Sequence, residues 1–206
     1  MRDETLGTFL DKLAARVPAP GGGATAALHA AQAAALLAMV ARYSDGPKYA
    51  DHAAVISEVV AAADRLRAEC LDLAAADATA FGSVAAAYAL PRETGEQKEA
   101  RSAAVGAALI TAARPPADVI AAAARLTDLA EELAQVGNRT MLGDVAAAAE
   151  AIRAAAATAR ILVEANLPGM TDRVARDQYA VAVAVVDGVL GRAGAVSAGV
   201  RKELAR

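Results

Sequence analysis

The sequence predicts an all-α fold, and three observations support that prediction. Alanine makes up roughly 30% of the 206 residues, far above ordinary usage, and alanine is the strongest helix former. Apolar residues recur at spacings of three and four, and no segment alternates as a β-strand does. Proline and glycine clusters divide the chain into segments of helical length. We therefore expect one domain over residues 1–206, an antiparallel bundle of about seven helices.

The first three helices are bounded by proline and glycine. The apolar residues of the first segment recur at helical spacing and comprise Leu6, Phe9, Leu10, Leu13 and Val17. Pro18 ends this helix, and an irregular loop over 18–23 follows. A second helix is predicted over 24–43, closed by a Ser-Asp-Gly-Pro run, and a third over 51–90, closed by Pro91.

Caps and prolines delimit the later helices. Thr94 and Gln97 have the spacing of a capping box, which predicts a fourth helix from there to about residue 113. Proline favours the first turn of a helix, and glycine favours the position after its end. The remaining predictions are a fifth helix from Pro115 and Pro116 to Gly137, a sixth over 142–166, and a seventh capped by Thr171 and Asp172, with a break near Gly191.

The alanine content also predicts self-association. Small side chains let helix axes approach closely, but each one buries little apolar area, so a single bundle of this kind has a thin core. A helical face shared with a second copy buries more apolar area. We therefore expect a homodimer.

Composition argues against several classes of protein. A net charge of −3 and an aromatic content of 3% provide neither a basic patch nor a stacking platform for nucleic acid. One cysteine excludes an intramolecular disulfide, and two isolated histidines argue against a metal site. The longest apolar run, 33–41, is shorter than the roughly 20 residues of a membrane span, and the chain start lacks the pattern of a signal peptide. We expect a cytoplasmic protein that binds neither nucleic acid nor membrane.

The loop before the second helix is the first candidate site. Three consecutive glycines, Gly21, Gly22 and Gly23, leave several backbone N–H groups unobstructed at the positive end of that helix. Such an arrangement favours a carboxylate, a phosphate or a developing negative charge. The alternative is a flexible corner that lets two helices turn sharply. No Lys-Ser/Thr pair follows and no strand precedes, so the loop is neither a P-loop nor a dinucleotide fingerprint.

A carboxylate in the third helix is the second candidate. The core-facing stripe of this helix consists of Leu66, Cys70, Leu73, Asp77, Phe81, Val84 and Tyr88. Asp77 lies in the middle of the stripe, so its carboxyl group must be paired, hydrogen-bonded or shifted to a raised pKa. A raised pKa suits general acid–base catalysis. The alternative is a structural aspartate that caps or pairs with a neighbouring helix.

Three polar residues near helix ends form a further set. Asn138 and Asp144 flank the start of the sixth helix, where capping alone accounts for both. Asn166 lies on the same helical face as Asp144 but 22 residues later, which is about 33 Å along a straight helix. The two can share one small site only if a second chain contributes one of them.

Basic residues form a weaker set, which comprises Lys48, Arg92, Lys98 and Arg101. Such residues are either solvated surface or a place for a polyanionic tail.

Four motifs, in this order along the chain, carry a resemblance to one enzyme family. They are the Pro-Ala-Pro-Gly-Gly-Gly-Ala-Thr-Ala-Ala segment from residue 18, the Asp-Ala-Thr-Ala-Phe segment from Asp77, Asn138 with Asp144, and Asn166 with Leu167. The set resembles the cyclodeaminase/cyclohydrolase family, which contains the C-terminal domain of formimidoyltransferase-cyclodeaminase and stand-alone methenyltetrahydrofolate cyclohydrolases. The similarity covers roughly residues 5–190.

The resemblance implies an all-α, dimeric enzyme that needs no metal or cofactor and acts on tetrahydrofolate one-carbon derivatives. It implies first a formimidoyltetrahydrofolate cyclodeaminase, in which N10 of 5-formiminotetrahydrofolate attacks the formimino carbon and ammonia leaves, giving 5,10-methenyltetrahydrofolate. The alternative is a methenyltetrahydrofolate cyclohydrolase, which hydrolyses that product to 10-formyltetrahydrofolate. A further alternative is a helical dimer that binds a small molecule without catalysis.

The resemblance also implies roles for individual residues. The catalytic candidates are Asp77, as a proton shuttle, and Asp144. The substrate-binding candidates are Pro20, Gly21, Gly22, Gly23, Lys48, Phe81, Arg101, Asn138 and Asn166. Gly143 stands where the family commonly has serine, and Leu162 where it commonly has asparagine. Either the substrate differs, or activity is reduced, or these two positions do not contact ligand.

Overall fold

A computed structural model describes residues 4–205, whose regular elements are all helices. The α-helices are α1 (Leu6–Ala14), α2 (Gly22–Arg42), α3 (Ala53–Tyr88), α4 (Gly95–Val136), α5 (Leu142–Asn166), α6 (Arg173–Ala184) and α7 (Val186–Leu204). Short 3₁₀ turns cover Pro47–His52, Arg139–Met141 and Leu167–Gly169. The predicted all-α fold is confirmed. The chain start, on which the prediction of no signal peptide depends, falls mainly on residues 1–3, outside the described range.

Helix α2 forms the centre of the bundle. It packs against α3, α4 and α5, and 12 of its 21 residues are buried, most of them alanines. Because alanine side chains are short, three helices can approach α2 closely on different sides. This packing holds the first turn of α2 beside α3 and the end of α5.

A single helix, α4, replaces the two helices predicted on either side of Pro115 and Pro116. A proline inside a helix has no N–H to donate to the carbonyl four residues earlier. The carbonyls that lose this hydrogen bond here are those of Thr111 and Ala112. The predicted break was wrong because the φ angle of proline itself suits a helix, and both rings are buried in the bundle. Packing of α4 against α2, α3 and α5 keeps the helix continuous.

Two other boundaries differ from prediction. A 3₁₀ turn over Pro47–His52 precedes α3, so the long helix begins at Ala53 and not at residue 51. The break expected near Gly191 occurs at Val185, between α6 and α7. Gly191 lies inside α7, because a single glycine costs a helix only about 1 kcal/mol relative to alanine and packing readily offsets that cost.

Helix α1 is shorter and less buried than its apolar pattern predicts. It ends at Ala14, and Phe9 is its buried residue. Leu6, Leu10 and Val17 are 59%, 51% and 50% exposed. The homodimer that would cover such residues stays a prediction.

Three helical segments are long and apolar enough to cross a membrane by length and composition alone: Gly22–Arg42, Pro47–Tyr88 and Arg173–Leu204. The first is largely buried inside the bundle, so packing between helices accounts for its apolar character. That the protein does not bind a membrane stays a prediction.

Candidate active site

A cavity of about 260 Å³ lies where the first turn of α2 meets α3, α4 and the end of α5. It brings together six residues predicted from the sequence: Gly21, Gly22, Gly23, Asp77, Phe81 and Asn166. Its remaining walls are formed by Pro18, Ala112, Pro116, Leu162 and Ala165. The glycine loop and the carboxylate of α3, predicted as separate candidates, are therefore parts of one site.

The Asp77 carboxyl group is fixed against the start of α2. Its Oδ2 accepts a hydrogen bond of 3.0 Å from the Ala24 N–H, one of the N–H groups that lack an acceptor within the helix. The side chain is half-buried. Burial raises the pKa of the Asp77 carboxyl above its usual range, and the hydrogen bond from Ala24 opposes that rise. A carboxyl group in this state can take up and release a proton closer to neutral pH than an exposed one.

Close contact with Asp77 explains one of the three glycines. A Cβ atom on Gly23 would lie 1.9 Å from Oδ1 of Asp77 and 2.2 Å from its Cγ, which no packing tolerates. A Cβ on Gly22 would be 3.4 Å from the Leu162 side chain, and one on Gly21 would meet no atom within 4 Å. Position 23 therefore requires glycine because the carboxyl group lies against its backbone.

The other glycines contribute backbone donors. Gly21 precedes the first residue of α2, and its carbonyl accepts hydrogen bonds from the N–H and the hydroxyl of Thr25. Gly22 and Gly23 occupy the first turn, where N–H groups have no intrahelical acceptor. Within residues 4–205 neither of these two N–H groups donates a hydrogen bond to another group. The cavity thus combines a carboxyl group with free donors at the positive end of a helix.

The remaining walls of the cavity are mostly apolar. Phe81 is 47% exposed and contributes an aromatic side chain to the wall of the cavity. Leu162 lies against Gly22, and the half-buried Asn166 provides an amide at the end of α5. Among the described residues that line the cavity, Asp77 is the only one with an ionisable side chain.

Asn138 lies elsewhere and has a structural role. Its backbone N–H donates to the buried Ser44 hydroxyl, and its Nδ2 donates to the Tyr43 carbonyl. Its Oδ1 accepts from the N–H and the hydroxyl of Thr140, which caps the 3₁₀ turn before α5. These bonds tie the end of α2 to the connection between α4 and α5, as the capping alternative anticipated.

Asp144 and Lys48 also lie far from the cavity within one chain. Asp144 is in the first turn of α5, about 33 Å along the helix from Asn166. Lys48 follows the far end of α2 and is exposed, with its ammonium group 5.5 Å from the centre of the Tyr49 ring. A site that joins Asp144 to Asn166 through a second chain stays a prediction.

Two further predicted residues, Pro20 and Arg101, do not line this cavity. Pro20 is half-buried and follows a cis peptide bond after Ala19. Arg101 lines a different cavity, which is also bounded by α3 and α4. Sequence reasoning missed Ala112, Pro116 and Ala165, which carry no chemical signal and enter the site only through packing.

No metal site emerges from the part of the chain that the structure describes. No three side chains of His, Cys, Asp or Glu in residues 4–205 are grouped so that they could hold a metal ion.

Comparison with known families places this arrangement in context. The family model described as formiminotransferase-cyclodeaminase matches residues 5–184, which include the glycine loop, Asp77 and Asn166. The chain belongs to this family. The resemblance predicted from the ordered motifs is thereby confirmed.

Individual members of the family extend the comparison. The chain is 35% identical to a methenyltetrahydrofolate cyclohydrolase of Methylorubrum extorquens, over 95% of this chain and 93% of that protein. It is 33% identical to the formimidoyltransferase-cyclodeaminase of Rattus norvegicus over 85% of this chain, but it spans only 33% of that protein's length. A crystal structure of a formiminotetrahydrofolate cyclodeaminase from Thermotoga maritima is similar with a TM-score of 0.83 and 29% identity, covering 97% of this chain and 98% of that one. The prediction of an enzyme family named for tetrahydrofolate chemistry is confirmed.

Proposed function

We propose that the chain hydrolyses 5,10-methenyltetrahydrofolate to 10-formyltetrahydrofolate. The observation that carries this proposal is the pairing of a lone carboxyl group, Asp77, with the free N–H donors of Gly22 and Gly23. Hydrolysis adds an oxygen atom to the reacting carbon, and the two N–H groups can stabilise that oxygen by donating hydrogen bonds to it. The 35% identity to a cyclohydrolase over nearly its whole length also supports the proposal.

The first step joins water to the methenyl carbon. Asp77 in its carboxylate form accepts one proton from the attacking water, while the water oxygen forms a bond to the carbon between N5 and N10. The positive charge of the methenyl group is lost as this bond forms. The product is a neutral tetrahedral carbon that carries a hydroxyl group, which the Gly22 and Gly23 N–H groups can reach as donors.

The second step opens the ring. The bond between carbon and N5 breaks, and N5 takes the proton that Asp77 holds. The hydroxyl group loses its proton as its oxygen becomes the formyl oxygen on N10. One proton is released to solvent overall, and Asp77 returns to the carboxylate form.

Other cavity residues hold the substrate in this scheme. The half-exposed Phe81 side chain can stack on the pterin, since aromatic rings pack favourably against flat heterocycles. Among residues 4–205 the Asn166 amide has no hydrogen-bond partner, and it offers both a donor and an acceptor to a ligand. Both groups bind and orient the substrate but take no part in proton transfer.

Cyclodeamination, which the sequence placed first, is the second candidate. The similarity to the Thermotoga maritima structure favours it. In that reaction the proton of N10 passes to the amine before ammonia leaves, and one carboxyl group can relay it. The formimino nitrogen, however, is itself a hydrogen-bond donor when protonated, so the donors of Gly22 and Gly23 cannot stabilise it, and it would depend on acceptors such as the Asp77 carboxylate instead. That mismatch ranks it second.

Two parallel assays that follow methenyltetrahydrofolate absorbance test these candidates. One starts from methenyltetrahydrofolate and the other from 5-formiminotetrahydrofolate, each against its uncatalysed blank. We expect accelerated loss of absorbance in the first. Accelerated appearance in the second alone would identify a cyclodeaminase, and no acceleration in either would reject both enzymatic functions.

As the pH is lowered, the activity should be lost at a higher pH than an ordinary aspartate would give. Asp77 must be ionised to accept the water proton, and burial raises its pKa above the ordinary value of 3.8. Lowering the pH therefore protonates Asp77 and removes activity before ordinary aspartates titrate. The acid limb of kcat/KM against pH measures this directly. A midpoint at or below 3.8 would contradict the role of this carboxyl group.

Leu162→Asn should shift preference towards the formimino substrate. An amide at this position, beside Gly22, offers an acceptor to the formimino N–H that leucine cannot provide. We expect the ratio of formimino to methenyl kcat/KM to rise about tenfold, the effect of one hydrogen bond to a charged group. Leu162→Met, which keeps the wall apolar, is the control. An unchanged ratio would mean that Leu162 does not contact the reacting carbon.

A further inference from the structure

Two consecutive prolines in α4 leave one backbone carbonyl without its usual hydrogen-bond donors. In an α-helix a carbonyl accepts from the N–H four residues later, and in a tighter 3₁₀ turn from the N–H three residues later. For Ala112 these positions are Pro116 and Pro115, and neither has an N–H. The Thr111 carbonyl loses only the bond from Pro115, because the Arg114 N–H remains three residues later. Regular helical pairing therefore provides no donor for the Ala112 carbonyl.

No side chain replaces these missing donors. Among residues 4–205 no side chain donates a hydrogen bond to the Ala112 carbonyl, and the Thr111 hydroxyl donates to Ala107 instead. The Tyr179 hydroxyl donates to the Ile110 carbonyl at 2.9 Å, which shows that carbonyls of this stretch can accept from outside the helix. Ala112 is only 8% exposed, so bulk water reaches little of it. A ligand that brings a donor to this carbonyl would satisfy a buried polar group.

The Ala112 carbonyl belongs to the wall of the candidate active site. Within the described chain, Ala112 and Pro116 are the residues of α4 that line that cavity. They are one helical turn apart, about 6 Å along the axis. Helical carbonyls point towards the C-terminal end of the helix, so the Ala112 oxygen lies between these two lining residues. The ring of Pro116 also pushes this carbonyl away from the helix axis.

An uncharged acceptor at this wall complements the other polar groups of the cavity. Gly22 and Gly23 contribute donors on the α2 side, whereas the α4 side is otherwise apolar. A tetrahydropterin carries N–H donors around the edge of its ring system, and stacking on Phe81 would leave that edge free. We propose that the Ala112 carbonyl accepts a hydrogen bond from an N–H group of the pterin and so orients the folate. This inference rests on the proposed function, because the pterin belongs to the substrate proposed there.

Returning an N–H to position 116 tests the proposal. In Pro116→Val the Ala112 carbonyl can bond along the helix and turn away from the cavity, while the side chain keeps nearly the volume of the proline ring. We expect KM for methenyltetrahydrofolate to rise about tenfold with kcat unchanged, because the pterin N–H loses its acceptor. Pro115→Val is the matched control. It returns an N–H opposite the exposed Thr111, outside the cavity, so both constants should stay at their wild-type values.

Further readouts distinguish this role from a structural one. Each valine variant gains one helical hydrogen bond, so urea denaturation should show neither to be less stable than wild type. Pro116→Ala should reproduce the rise in KM, since it also restores the N–H; a rise in the alanine variant alone would indicate lost wall contact and overturn the proposal. Equal rises in the variants at positions 115 and 116 would also overturn it. So would a fall in kcat at constant KM, because the carbonyl would then hold the attacking water.

A binding measurement separates failure of this proposal from failure of the proposed function. Calorimetry compares tetrahydropterin with aminobenzoylglutamate, which are the two halves of the folate. Pro116→Val should bind tetrahydropterin about tenfold more weakly than wild type and aminobenzoylglutamate equally well. That result in a protein without turnover would support the pterin contact while the proposed function fails. Equal tetrahydropterin affinity in the variant and the wild type, or no binding by either, would overturn the contact even if hydrolysis is observed.

Discussion

Asp77→Asn should lower kcat by about 10²–10⁴-fold, the usual contribution of a general acid–base group. Asparagine keeps the shape of the side chain and can still accept the hydrogen bond from the Ala24 N–H. Its amide, however, cannot take up and release a proton near neutral pH. Because burial raises the pKa of Asp77, the ionised group is disfavoured by the folded protein. Its replacement by a neutral amide should therefore not lower the free energy of unfolding at pH 7. Kinetic constants and urea denaturation of the variant measure both effects.

Asp51→Asn, which removes an exposed carboxylate, is the matched control and should behave as wild type. Calorimetry with tetrahydrofolate adds a third readout, since the Asp77 variant should still bind folate. Normal turnover in Asp77→Asn would exclude the proton transfer described above. A wild-type protein that binds folate but catalyses neither reaction would instead be the non-catalytic binder considered from the sequence.

Gly23→Ala should damage both stability and activity. The new methyl group would lie 1.9 Å from Oδ1 of Asp77, so the carboxyl group or the first turn of α2 must move. Overpacking of this kind costs about 1–3 kcal/mol of unfolding free energy. Displacement of a catalytic group by about 1 Å can reduce turnover about 100-fold. Denaturation and steady-state kinetics of one preparation measure the two losses.

Gly82→Ala provides the contrast for Gly23→Ala. Gly82 is exposed within α3, and a Cβ there meets no atom within 4 Å. Alanine should stabilise the helix by about 1 kcal/mol without changing kcat. If Gly23→Ala matched wild type in both measurements, the carboxyl group would not be locked against this glycine, and the geometry of the site would need revision.

The sequence predicted the parts of the site but not their assembly. Asp77 was detectable because an ionisable residue interrupts an apolar stripe, and the loop was detectable because three glycines exceed what a turn needs. That the two meet depends on how α2 packs against α3, which no local pattern encodes. Among the three loop glycines, only Gly23 has no room for a side chain, and the contact with Asp77 is what distinguishes it from Gly21 and Gly22.

Other predictions failed or remained open for equally local reasons. Pro115 and Pro116 are typical of a helix start, yet tertiary packing carries α4 through them and makes Pro116 a wall of the cavity. Asn138 has the residue type of a ligand-binding group, but its bonds to Tyr43 and Ser44 hold two distant segments together. Capping rules identify such a residue near a helix end without revealing which partner it binds.

Because α2 is densely packed, its side of the cavity tolerates few substitutions, whereas the sides formed by α3 and α5 tolerate more. Any larger residue on the buried faces of α2 would push against several helices at once and displace the turn that holds the carboxyl group. Leu162 and Phe81, by contrast, are only partly covered and can be exchanged without disturbing the bundle. Divergence in substrate preference among relatives should therefore accumulate on α3 and α5, while α2 drifts only among small residues. Alanine-rich packing would then restrict sequence change on the α2 side of the cavity, while substitutions on the α3 and α5 sides could alter which substrate binds.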